Sequence, residues 1–380
     1  MKPDQCLISF LLGFNSGFFL QKASRRYFNW EQFTLLSLKE SVGELFYQRL
    51  KENNLTAKIP LKAKALLKER YYKTAARNIF LMQECEKLFG IFSQKNIDLL
   101  ALKGIFLMEN AYKNPALRPM TDIDLLIKRH DLIKTDELLC SMGYLPLSRA
   151  ENFLKMSSYG SINNIMYKAP LPLSYFLHIH WHIVNSTWPV ARFAQSIDIK
   201  QIWENAGTSR VCAKNIFVLS PDDLILHLCF HGLLHGFNKL ILLADLACAL
   251  SVYKSEIAFG SIYEKAKKWR IEPYFYYAAN LINNIFEKKL FDIDSFSYSN
   301  ILLGKLAALK ARKRYVSYIV LFLSQEGAAS KTKFIKRTFL PDKSVLVHKY
   351  NIPFEKITAK HYLRRALGGL RTLNSQPFYE

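Results

Sequence analysis

Acid is scarce in this sequence. Its 31 aspartates and glutamates face 53 lysines and arginines, for a formal charge of +22 at neutral pH. That surplus favours anionic partners such as nucleotides, RNA or an acidic membrane surface; its plainer reading is a solvated basic surface. Paired cysteines are missing too. Cys6, Cys85, Cys140, Cys212, Cys229 and Cys248 lie far apart with no CxxC spacing, which argues against a disulfide framework and for reduced thiols in a cytoplasmic protein. There is no transmembrane segment to read. The apolar run from Leu7 to Leu20 is broken by Asn15, Ser16 and Gly17, too short to cross a bilayer. Lys2 precedes it as in a leader, but residues 21–24 make a poor cleavage site, so the run reads as a buried helix. Internal repeats, low-complexity linkers and the aromatic patterns of dedicated RNA-binding modules are absent as well.

What is present is globular. Half of the 380 residues are hydrophobic and 14% aromatic, enough for two or three packed units. From Asn29 to Phe92 apolar residues recur at three and four positions (Trp30, Phe33, Leu36; Val42, Leu45, Phe46, Leu50; Tyr71, Tyr72, Ala76, Ile79, Leu88), the period of helices. The period then changes. The run 97–102 is strand-like, 105–112 helical, 121–127 strand-like, 131–142 helical up to Gly143, and 175–184 strand-like. Strand, helix, strand, helix, strand in ninety residues predicts a compact α/β unit. After Asn185 the pattern turns helical again. Ser220-Pro221-Asp222-Asp223 is a strong start signal, with serine as cap, proline in the first turn and acids at the positive helix end. It opens an apolar stretch running from Leu224 to Leu250, and 260–286 and 302–323 read as helices too. The tail is basic, with Lys333, Lys336, Arg337, Lys343, Arg364 and Arg365.

Chemistry is concentrated at Asp122 and Asp124. Two apart on a strand, their side chains leave the same face, about 7 Å apart at Cα. Such a pair can hold hard divalent cations, Mg²⁺ or Mn²⁺, which clamp the oxygens of a transferring phosphoryl group; two solvent-facing aspartates are the bland alternative. Some twenty residues earlier, Lys103-Gly104 opens a helix. A small residue there lets backbone N–H groups approach phosphate, and Lys103 adds a point charge.

The segments Leu100-Ala101-Leu102-Lys103-Gly104, Leu117-Arg118-Pro119-Met120-Thr121-Asp122-Ile123-Asp124-Leu125-Leu126-Ile127, Gly143-Tyr144 and His180-Trp181 resemble, in order, the signature of an uncharacterised bacterial nucleotidyltransferase family of the polymerase-beta-like superfamily. The likeness continues through Ser220-Pro221-Asp222-Asp223, Leu228-Cys229-Phe230-His231 and Leu243-Ala244-Asp245-Leu246 to Phe339-Leu340-Pro341 and Tyr350, most of the chain. It implies an α+β fold with a minimal mixed sheet, a metal pair on Asp122 and Asp124, and NTP phosphates near Lys103 and Gly104. It also implies an acid two residues before the His-Trp pair, where this chain has His178. A neutral imidazole supplies no negative charge against two cations. His178, His180 and His182 alternate onto one strand face, which offers nitrogens to a softer ion such as Mn²⁺ or Zn²⁺; packing and hydrogen bonding explain such a face equally simply. Glu151 is another acid that could fill the third place.

Arg118, four residues before Asp122, suits either a carboxylate partner or a triphosphate. His227, His231 and His235 line one helix face without the acid of a HExxH site, and read as a polar seam against the core. Asp245, if buried, requires a partner, for which His231 and Lys239 are candidates. The expected organisation is a helical region over 1–92, a nucleotidyltransferase-like core over 93–185 and a helical region with a basic tail over 186–380. Catalytic roles fall to Asp122, Asp124 and His178, metal to Asp122 and Asp124, and nucleotide to Lys103, Gly104 and Arg118. Three functions stay open: transfer of NMP from an NTP to an unknown acceptor, nucleotide or partner binding by a weakened member, and an RNA-directed enzyme.

Overall fold

The computed structural model describes residues 3–12, 16–23, 28–147, 150, 163–184, 196–296, 298–309, 312, 314–341, 343, 346, 350 and 356–372. Glu151 lies outside them. The fold is α+β, as expected: among the described residues seven strands form one mixed sheet, with many helices around it.

Helices lead. The early apolar run folds as α1 (Pro3–Leu11) and α2 (Ser16–Ala23), with Leu7, Ile8 and Phe10 fully buried. Next come α3 (Trp30–Lys39), capped by the Asn29 side chain on the amide of Gln32 at 2.9 Å, and α4 (Gly43–Glu52). The 34-residue α5 (Leu61–Gln94) packs along α4 and α3. No helix among the described residues is long and apolar enough to cross a membrane.

The sheet is built from β1 (Leu100–Ala101), β2 (Asp122–Leu126), β3 (Leu145–Pro146), β4 (Asn164–Lys168), β5 (Phe176–His180), β6 (Gly207–Val211) and β7 (Lys214–Val218), in the order β3-β4-β5-β2-β1-β7-β6. At its centre β2 runs parallel to β5, with Asp122 opposite Phe176, Asp124 opposite His178 and Leu126 opposite His180. Strand alternation then sends Ile123, Leu125, Leu177 and Ile179 to one face, all fully buried, and the aspartates and histidines to the other.

Several sequence expectations are corrected. The run 97–102 supplies only two ladder residues, because β1 is a short rung between β2 and β7. The stretch after Asn185 is not wholly helical, since β6 and β7 form a hairpin that extends the sheet. The helix predicted over 105–112 begins earlier, as α6 (Lys103–Leu107), and passes into a π-helical turn over Met108–Tyr112. A further helix, α7 (Leu132–Ser141), matches its prediction closely; α8 (Ile199–Glu204) precedes the hairpin. The stretch from Leu224 to Leu250 divides into α9 (Pro221–Leu234) and α10 (Leu240–Val252), because Gly236 and Phe237 take left-handed φ of 64° and 44°. Likewise α11 (Phe259–Lys268) and α12 (Glu272–Phe286) are parted at Arg270, φ 56°. The 302–323 stretch divides into α13 (Ile301–Ala308) and α14 (Arg314–Leu323); α15 (Gly327–Phe339) and α16 (Ala359–Thr372) follow. The α9 start forms as predicted, with the Ser220 hydroxyl accepting from the Asp223 amide at 3.3 Å and Pro221 in the first turn.

Candidate active site

The site grows from the junction of β1, α6 and the two central strands. Leu102 continues β1, donating its N–H to the Asp124 carbonyl at 3.1 Å. The chain then turns at Lys103, whose φ of 40° is left-handed and unusual for a side chain of this size. Gly104 is required by close approach: a Cβ there would stand 2.9 Å from Arg118 Nη1 and 3.3 Å from Met120 Sδ.

The loop into β2 is fixed from the helical N-terminal region, a role that sequence reading did not foresee. Arg77 on α5 donates to the carbonyls of Met120 (3.0 Å), Thr121 (3.3 Å) and Ser174 (3.2 Å), tying together the entries of β2 and β5. Asn78, one residue on and fully buried, donates to the carbonyls of Pro115 (2.6 Å) and Arg118 (2.8 Å). Polar side chains at 77 and 78 interrupt an apolar period, but nothing local names their partners.

Asp122 and Asp124 share a face as expected, yet their surroundings differ. The Asp122 side chain keeps 38% of its exposure; that of Asp124 keeps 7%. Oδ1 of Asp124 takes the Lys103 ammonium at 3.1 Å and His180 Nε2 at 2.8 Å, with His178 Nδ1 at 3.6 Å. His178 Nδ1 is also 3.8 Å from Asp122 Oδ2. Burial would push the Asp124 carboxyl up, but the Lys103 charge, the hydrogen bond from His180 and the nearby His178 outweigh it and hold the group well below the usual carboxylate range. Burial lowers His180, against the pull of its hydrogen bond to Asp124.

His178 therefore stands beside both aspartates, in the place where the resemblance implies an acid. His182 does not join them. The strand ends at His180, and His182 turns to the Ile197 carbonyl (Nε2, 3.3 Å) and the Val184 amide (Nδ1, 3.0 Å).

Arg118 is committed elsewhere. Its Nε and Nη2 grip both oxygens of Asp245 on α10, each at 2.8 Å, and the Tyr112 hydroxyl donates to Oδ1 at 2.8 Å. The partners of Asp245 are thus Arg118 and Tyr112, not His231 or Lys239; the Lys239 ammonium donates to the Lys39 carbonyl at 2.6 Å. Burial opposes the Arg118 charge, and Asp245 more than restores it.

Behind Lys103 runs the histidine face of α9. The rings of His227 and His231 lie 6.2 Å apart and nearly parallel, and those of His231 and His235 4.5 Å apart. Burial, with the Lys103 charge added, pushes His227 down to about 3, and His231 well below its ordinary value. Both imidazoles are neutral at physiological pH.

Asp124, His178 and His180 each offer one ligand atom, all within 4.8 Å of one another. One oxygen and two nitrogens are a donor set that a divalent cation accepts. A model of the uncharacterised nucleotidyltransferase family matches residues 27–287. The chain belongs to this family. The match runs from the end of the α1–α2 region through α12, so it takes in α5, the sheet and the α9–α10 pair that holds Arg118. No curated protein and no solved structure matches the chain. Membership in a nucleotidyltransferase family supports nucleotidyl transfer as the general chemistry, and Asp124, His178 and His180 are a group that could hold a metal ion.

Proposed function

We propose that the protein transfers a nucleoside monophosphate from an NTP to a hydroxyl-bearing acceptor at the cluster of Asp122, Asp124, His178 and His180. The observation that carries this reading is the convergence of Asp124, His178 and His180 from parallel neighbouring strands, with Lys103 against the same carboxylate. These three side chains would hold a divalent cation, with Asp122 beside them as the second carboxylate. When bound, the cation neutralises phosphate charge and polarises the α-phosphate. Two imidazoles favour Mn²⁺ or Zn²⁺ over Mg²⁺, which prefers oxygen ligands throughout. Lys103 meets the phosphate chain, and Gly104 lets the turn that carries it pack closely on Arg118 and Met120. Arg118 acts from beneath, fixing the turn through Gly104 while anchored on Asp245. The acceptor oxygen attacks the α-phosphorus as the bond to the β-phosphate oxygen breaks and pyrophosphate leaves. Asp122, the more exposed carboxylate, takes the hydroxyl proton. Such an arrangement fits the polymerase-beta-like superfamily, and six free thiols fit a cytoplasmic setting.

One observation favours a second reading. His178 stands where the resemblance calls for an acid, and Asp124 is already paired with the Lys103 charge and hydrogen-bonded to His180. A nucleotide- or partner-binding protein without turnover would look like this. An RNA acceptor has only the +22 charge behind it.

Incubation of the protein with each labelled NTP, Mg²⁺ or Mn²⁺, and cell extract distinguishes them. Transfer of label to a discrete product, absent for Asp124→Asn, supports the enzyme. Nucleotide binding without any product favours the second reading. Loss of product on ribonuclease treatment of the extract identifies an RNA acceptor.

A further inference from the structure

The oxygen best placed to bind a metal is already taken. Asp124 belongs to the three-residue donor set, and its Oδ1, the oxygen that faces His178 at 3.6 Å and His180 at 2.8 Å, also receives Lys103 Nζ at 3.1 Å. Both partners are withdrawn from water, with side chains 15% and 7% exposed. In so dry a place a primary ammonium is itself a monovalent cation bound at the carboxylate. A divalent ion on Oδ1 would stand beside it in low dielectric, where like charges repel strongly. The two cations compete for one site.

Neighbouring cations are held by groups that have nothing to do with metal. Arg118 is locked bidentate on Asp245, and Arg77 on three loop carbonyls. Lys103 differs in that its partner is a candidate metal ligand. Its left-handed backbone aims the side chain at Asp124 from the β1–α6 turn. Yet four methylenes let the ammonium leave without any backbone movement.

We propose that Lys103 is a resident cation that keeps metal off Asp124 until a phosphate chain draws it away, so that metal and nucleotide enter the site together. This rests on the reading of the site as one that takes a phosphate-bearing nucleotide with a divalent cation. The triphosphate exchanges one anionic partner of Lys103 for another, and Asp124 passes to the metal that the triphosphate carries. Coupling of this kind is reciprocal: nucleotide raises metal affinity by the factor by which metal raises nucleotide affinity. A free divalent ion then finds the empty protein a poor host.

The test needs no turnover. Mn²⁺ binding to the full chain is measured by electron paramagnetic resonance for the wild type, Lys103→Met, and Lys103→Met combined with Asp124→Asn. Inorganic tripolyphosphate serves as the phosphate chain. Lys103→Met is expected to bind Mn²⁺ alone at least tenfold more tightly than the wild type, and the double variant to lose that gain. The Mn²⁺–tripolyphosphate complex is expected to bind the wild type at least tenfold more tightly than Lys103→Met. If Lys103→Met is unfolded by circular dichroism, Lys103→Gln is read in its place. Equal Mn²⁺ affinity in wild type and Lys103→Met, with binding still abolished by Asp124→Asn, overturns the gate and leaves the site reading standing. Mn²⁺ binding that ignores Asp124→Asn overturns both.

Discussion

His178 decides how far this site departs from an all-carboxylate one. Its Nδ1 lies 3.6 Å and 3.8 Å from the two aspartates, and in the proposed site it serves as a nitrogen ligand. His178→Asp should therefore shift the ratio of Mg²⁺- to Mn²⁺-supported transfer at least tenfold toward Mg²⁺, since an oxygen donor replaces nitrogen. Activity assays with each metal check this, and an unchanged ratio would remove His178 from the metal. Asp245 makes a structural contrast. It neutralises a buried guanidinium, so Asp245→Asn should cost about 3–5 kcal/mol in urea unfolding by leaving Arg118 without its charge partner. A loss under 1 kcal/mol would mean that the pair contributes no more than an exposed ion pair does. At this scale the sequence was partly legible. The period-two spacing placed Asp122 with Asp124 and His178 with His180 because strand geometry is local, and only the family resemblance brought the two pairs together. It did not show that Arg118 turns to a residue 127 positions away, nor that Lys103 pairs with Asp124. Such pairings depend on where whole elements pack.

Among the elements, the long helices were easiest to read, because their apolar period persists over several turns. The β6–β7 hairpin was missed for a physical reason. Its turn residues, Cys212 and Ala213, take φ of 47° and 60°, a conformation normally signalled by Asn-Gly or Asp-Gly. With no glycine there, the alternating stretch from Gly207 to Val218 carried no turn mark. The same observation yields a prediction. Alanine in a left-handed conformation costs roughly 1 kcal/mol that glycine avoids. Ala213→Gly should then stabilise the protein by up to about 1 kcal/mol, read as a raised urea midpoint with unchanged slope. Destabilisation would show that the turn is not strained. The helix breaks at Phe237 and Arg270 escaped notice likewise, since non-glycine residues occupy the left-handed positions.

The whole molecule carries +22 charges and, in His227, a buried imidazole held neutral. Both make it sensitive to acid. His227 is held near 3 in the fold but titrates at about 6.5 when unfolded. Between those values the unfolded chain binds a proton that the folded chain refuses, so stability rises with pH and falls as pH drops below about 6.5. From pH 7 to pH 5 this histidine alone should cost about 2 kcal/mol. Urea unfolding at the two pH values, in wild type and His227→Leu, checks it; an equal pH slope in both would contradict the assignment. The family and the general α+β architecture were readable in advance, because the ordered motifs span most of the chain. The tether from α5 to the β2 loop was not, since Arg77 and Asn78 act on carbonyls that any residue could present. The central claim, nucleotidyl transfer at the Asp122–Asp124 cluster, is tested most directly by where the label goes. With Mn²⁺ and cell extract, the account predicts that α-labelled NTP marks a product, that γ-labelled NTP yields only labelled pyrophosphate, and that Asp124→Asn abolishes both by at least 100-fold. A product marked by the γ-label, or one undiminished in Asp124→Asn, would contradict it.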